Sequence, residues 1–136
     1  MQLLEKLGFN KFFQDQVDSG KIKDFKIVRV IAVNKNSFIV SDGEKDIFAE
    51  LTGKFLFNSD SPLDYPTVGD WTYVQLFDDD TFAVIHELFL RKSLLKRKTP
   101  GKKIEYQLIA ANVDTALIMQ SVDNNFNLRR LERYLV

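Results

Sequence analysis

Apolar and polar positions along the chain change period more than once, and the changes divide it. Leu3, Leu4 and Leu7 share one helical face; Gly8 interrupts, Asn10 offers an N-cap, and Phe12, Phe13 and Val17 make a second apolar stripe that stops at Gly20. The pattern predicts two short helices docked on a core, with a partner-binding arm as the alternative. From Phe25 the period becomes two. Phe25, Ile27, Arg29, Ile31 and Val33 alternate with Lys26, Val28, Val30 and Ala32, and Asn34-Lys35-Asn36 ends the run as a tight turn. Residues 37–41 predict a second strand with Phe38 and Val40 on one side. Asp42-Gly43 is a hairpin signal, and residues 46–51 predict a third strand with Ile47, Ala49 and Leu51 on one face.

Residues 54–70 form an irregular connection holding Pro62, Pro66 and Gly69, with room for a short helical turn near Phe55 and Phe57. Residues 71–77 and 81–91 predict the fourth and fifth strands, joined by Asp78-Asp79-Asp80. Three strands, a connection and two strands is the layout of an oligonucleotide-binding (OB) fold, a Greek-key barrel; an SH3-like barrel or a sandwich fragment accounts less well for the long connection. Further on, residues 115–121, T-A-L-I-M-Q-S, read as a strand buried in a parallel sheet. Phe126-Asn127 opens a helix with Leu128, Leu131 and Leu135 on one face and Arg129, Arg130 and Arg133 away from it. The expected class is mainly β: a five-stranded OB barrel with short N-terminal helices and a C-terminal strand and helix that begin an α/β domain. The expected divisions are a helical arm at 1–22, the barrel at 23–91, a basic linker at 92–110 and the start of the second domain at 111–136.

Charge sharpens this division. The 136 residues net to zero, yet residues 1–90 carry nine Lys and Arg against fifteen Asp and Glu, and residues 91–136 carry ten against four. The basic excess concentrates in the linker, where Arg91, Lys92, Lys96, Arg97, Lys98, Lys102 and Lys103 face a single acid, Glu105. These are candidate phosphate contacts, with a solvated, flexible connector as the alternative. The usual ligand face of the barrel adds Lys35, Phe38, Lys45 and Phe48. Of these, Lys35 joins the candidate RNA contacts, whereas Phe38 and Phe48 read as core. Asp78-Asp79-Asp80 would repel a phosphate backbone and reads as a solvated turn, not a cation site. His86 and Glu87 are strand neighbours facing opposite sides, so no catalytic pair is expected. Trp71 reads as a barrel anchor. No cysteine and one histidine exclude disulfides and a Cys or His zinc site, and no apolar run approaches the roughly 20 residues of a membrane span. A cytoplasmic protein with no membrane or DNA partner is expected.

The segments E-Y-Q-L-I-A-A-N-V-D-T-A-L-I-M-Q-S and F-N-L-R-R-L-E-R-Y-L resemble the domain junction of the ribosome small-subunit-dependent GTPases, the RsgA, YjeQ or YloQ family. V-G-D-W-T-Y-V, A-V-I-H-E-L and R-K-S-L-L-K-R-K-T-P-G-K-K are similar to the end of that family's barrel and its linker, and L-E-K-L-G-F-N-K-F-F resembles the arm of one branch. The resemblance implies an N-terminal OB barrel, then a circularly permuted GTPase domain and a zinc domain. It also implies GTP, Mg and Zn as cofactors of the full-length protein, and small-subunit rRNA as partner during late assembly near the decoding region. The chain has no G-x-x-x-x-G-K-[ST], no N-K-x-D and no Cys or His cluster. It therefore reads as an N-terminal fragment ending before the GTP-binding motifs, with no catalytic residue, cofactor or metal of its own. The competing expectation is a fragment that self-associates through its C-terminal strand and helix.

Overall fold

The computed structural model describes residues 2–35, 37–58, 62–98 and 106–117. Two short helices open the chain, α1 (Gln2–Lys6) and α2 (Lys11–Gln14), followed by a 3-10 turn at Lys21–Lys23. Asn10 caps α2, its side-chain oxygen accepting from the Phe12 amide at 3.0 Å. Strands β1 (Lys26–Val33), β2 (Phe38–Ser41), β3 (Asp46–Leu51), β4 (Trp71–Phe77) and β5 (Phe82–Leu88) close into a barrel in the order β1-β2-β3-β5-β4. β4 returns to β1; β3 and β5 run parallel and the other barrel pairs antiparallel. This is the connectivity of the OB barrel. Between β3 and β4 lie α3 (Gly53–Asn58), where the sequence leaves room for a turn, and a 3-10 turn at Pro62–Asp64.

The period-two alternation sorts side chains into two cores. Val28, Val30, Phe38, Val40, Ile47, Ala49, Val74, Ala83 and Ile85 fill the barrel, and Phe55 of α3 packs against them. The other face of β1 and β4 carries Ile27, Trp71 and Tyr73, which with Phe89 bury Leu4, Phe9 and Phe13 of the arm against the outer wall. Trp71 is fully buried there, with the Phe9 ring edge-on at 4.8 Å. It anchors the arm to the wall and is not part of the interior cluster. Each buried phenylalanine is worth about 1.5–3 kcal/mol, enough to hold two helices too short to be stable alone.

Among its described residues, the segment expected to be a linker holds two strands. β6 (Leu94–Lys98) and β7 (Tyr106–Ala111) pair antiparallel, with a register shift between Leu95 and Lys96. Leu94 and Leu95 on one strand, and Leu108 and Ile109 on the other, supply strand character that the lysine-rich composition conceals. Residues 115–117, expected to open a buried strand, have no strand partner among the described residues. The rest of that strand and the helix expected from Phe126 lie outside the described residues.

Candidate nucleic-acid interface

β6 carries the basic run as a strand. Lys96, Arg97 and Lys98 are exposed on it, and Lys92 is exposed at its foot. Alternation along a strand sends Lys96 and Lys98 to one face of the two-stranded ribbon and Arg97 to the other, so positive charge meets solvent on both sides. Lys102 and Lys103 lie outside the described residues. Lys35 is exposed in the β1–β2 turn and shares no element with the hairpin.

Arg91, by contrast with the exposed cations of β6, is engaged within the fold. Its Nε donates to Asp70 Oδ1 and its Nη2 to Asp70 Oδ2, both at 2.8 Å, and further bonds reach the carbonyls of Leu63 at 2.7 Å and Tyr65 at 2.8 Å. Asp70 is fully buried and also accepts from the Thr67 amide at 2.8 Å. A guanidinium engaged this way has little left for a phosphate. Its role is to tie the hairpin's approach to the β3–β4 connection.

A second fastener holds the same root of the hairpin, where β7 leaves it. Arg29, on the outward face of β1, donates from Nε to the Gly69 carbonyl and from Nη2 to the Asn112 carbonyl, each at 3.0 Å, and from Nη1 to the Leu7 carbonyl. Its guanidinium lies 5.5 Å from the Trp71 ring centroid. Burial pushes the Arg29 pKa down, opposed by the carboxylates of Asp114 and Asp70. Asn112, in the left-handed region at φ 56°, donates from Nδ2 to the Gly69 carbonyl at 2.9 Å and accepts the Lys92 amide on Oδ1 at 2.7 Å. Gly69 sits at φ +97°, and a Cβ there would fall 1.9 Å from the Ala111 carbonyl oxygen. Only glycine lets β7 approach so closely. Arg29, Gly69 and Asn112 thus join arm, barrel and hairpin, and none was singled out as a site residue in the sequence. The available signal was Arg29 itself, a charge inside the apolar run K-I-V-R-V-I-A-V, which must find partners if buried.

The usual ligand face of the barrel differs from expectation in one residue. Phe38 is buried as expected, whereas Phe48 is 42% exposed and lies stacked 6.0 Å from Phe82. Asp78, Asp79 and Asp80 follow one another at φ 54°, 56° and 65°, a left-handed run that aspartate tolerates better than most residues. Among the described residues, no group of three His, Cys, Asp or Glu side chains is placed to hold a metal ion. His86 touches the Phe25 ring at 4.7 Å between centroids, and burial pushes its pKa down; Glu87 instead pairs with Lys21.

No protein-family model matches the chain. It is 39% identical over 132 residues to the small ribosomal subunit biogenesis GTPase RsgA 2 of Vibrio parahaemolyticus, covering 97% of this chain and 33% of that one. It is 36% identical over 126 residues to RsgA 1 of Bacteroides thetaiotaomicron, covering 93% and 34%. The chain is a homologue of the RsgA GTPases. It spans about a third of the length of these curated relatives. Among solved structures, that of YloQ, a circularly permuted GTPase, shares the fold at a TM-score of 0.50 and 23% identity, over 82% of this chain and 35% of that one. In this RsgA homologue the basic strand is therefore a feature of a barrel-bearing region, fastened to that barrel by bonds at the root of the hairpin, where β6 begins and β7 ends.

Proposed function

We propose that this chain is the ribosome-docking region of a GTPase acting in late maturation of the small ribosomal subunit, with the β6–β7 hairpin laid along rRNA phosphates. The observation that carries this reading is the placement of Lys96, Arg97 and Lys98, exposed in consecutive positions of a strand whose root is held by Arg29, Arg91 and Asn112. A charged strand held in place offers phosphates a preordered set of donors, at lower entropic cost than a free linker. The names of the RsgA relatives support the choice of partner. GTP hydrolysis, with GTP, Mg and a zinc domain, would belong to sequence outside this chain, which has no cysteine, one histidine and no phosphate-binding glycine loop. The cytoplasm is the compartment this function requires.

Binding of the chain to purified immature small subunits across a salt series tests the reading. Salt-sensitive binding that prefers the subunit to free single-stranded RNA is expected. Replacing Lys96, Arg97 and Lys98 together with Glu should weaken it and flatten the slope of log affinity against log salt by roughly two to three. Unchanged affinity in that variant would remove the hairpin from the interface. A second reading, self-association, draws on Leu117, which is 86% exposed. A mass that rises with concentration in the absence of RNA would favour it.

A further inference from the structure

The barrel wall away from the arm carries an apolar row. Ile39 of β2 is in register with Phe48 of β3, Phe48 with Phe82 of β5, and Phe82 with Phe77 of β4. One level of the wall is therefore apolar across four strands. The Phe77 and Phe82 rings lie 6.5 Å apart and those of Phe48 and Phe82 6.0 Å, while Phe48 and Phe77 are each 42% exposed. The arm covers the wall formed by β1 and β4 around Trp71; this row has no such cover among the described residues.

The charges beside the row decide what fits it. Asp46 and Glu50 flank Phe48 on the same exposed face of β3, and Asp78, Asp79 and Asp80 connect Phe77 to the strand that begins at Phe82. Lys45 lies among them and is 3.9 Å from Asp80. Aromatic faces accept either bases or guanidinium groups, but phosphates alongside those bases would meet carboxylates on both sides of the row. The barrel is closed, so β2, β3, β5 and β4 have no free edge here, and a partner must bind through side chains, not by adding a strand.

We propose that this row is the docking face for an arginine-rich segment of a partner protein, its guanidinium groups lying on the Phe48, Phe82 and Phe77 rings and pairing with the surrounding carboxylates. Resting on the reading above, such a partner is one that a ribonucleoprotein particle supplies, since proteins that neutralise RNA are basic. The hairpin would then face RNA while the row faces protein.

The test is a nuclear magnetic resonance titration of the whole chain with a capped peptide of alternating arginine and valine, and separately with oligouridylate. The peptide is expected to shift the amide and ring signals of Phe48, Phe77 and Phe82, with affinity falling as salt rises; oligouridylate is expected to leave them in place. Phe48→Thr and Asp79→Asn, the latter keeping a residue that tolerates the left-handed backbone, should each weaken the peptide about fivefold or more. The proposal is overturned if the peptide leaves the row unshifted, if oligouridylate moves it, or if Asp79→Asn leaves peptide affinity unchanged. No ribosomal subunit takes part in the titration. A failed hairpin therefore leaves this result standing, and a failed row leaves the hairpin standing.

Discussion

A guanidinium placed against backbone carbonyls acts as a fastener, because its donors must be met once water is excluded. Arg29 and Arg91 both work this way, although only Arg29 betrays itself in the sequence by interrupting an apolar run; Arg91 heads a basic run and its composition hides it. Arg91→Gln leaves the fully buried Asp70 carboxylate without its cation, which should cost about 3–5 kcal/mol, read as a lower urea midpoint. Lys98→Gln, on an exposed side chain, should stay within about 0.5 kcal/mol of the parent. Asp42 gives a pH prediction. Burial alone would raise its pKa, but the Lys45 and Glu44 amides and the Lys26 ammonium bond its carboxylate and bring it down to about 2 from the ordinary 3.8. A depressed folded value means stability present above 3.8 and lost as pH falls toward 2, an amount near 2 kcal/mol. Denaturant melts between pH 5 and 2 should show that loss in the parent chain, and Asp42→Asn should flatten it.

Strands β1 to β5 were legible as elements because alternation and Asp42-Gly43 specify them locally, whereas the β6–β7 pairing was not. The sequence between its two strands includes T-P-G-K-K, dense with lysine and free of a two-residue hairpin signal, and a two-stranded ribbon is marginal without outside support. That support comes from the barrel, at the contact between Gly69 and Ala111. Gly69→Ala places a methyl group against the Ala111 carbonyl and forces an alanine to a positive φ, a cost of order 1–3 kcal/mol from the backbone alone. The expected result is faster amide exchange at Ala111 and Asn112, with Val40 and Ile47 of the barrel still protected. On the proposed docking of the hairpin along rRNA, weaker RNA binding should accompany it, although no charge has changed. Equal protection at Asn112 in the variant and its parent would mean that the hairpin does not depend on this contact.

At the scale of the molecule, the charge asymmetry of the sequence becomes a division of surfaces, with carboxylates around the phenylalanine row and cations along β6. The sequence foretold the asymmetry but not the second core. Alternation distinguishes the two faces of β4, but does not say that Trp71 and Tyr73 are covered by Phe9 and Phe13 from the arm. The parallel β3–β5 pairing that closes the barrel likewise joins segments far apart in sequence, beyond the reach of local pattern. The Arg29 clasp also has a consequence in time. A nascent chain emerges from its N-terminus, so Leu7, Arg29 and Gly69 are available early and Asn112 much later. The barrel strands can pair once Leu88 has emerged, but Arg29 waits for its last acceptor until the lysine-rich segment has followed. A chain stalled within that segment would therefore hold a paired barrel whose Arg29 donates to water in place of the Asn112 carbonyl.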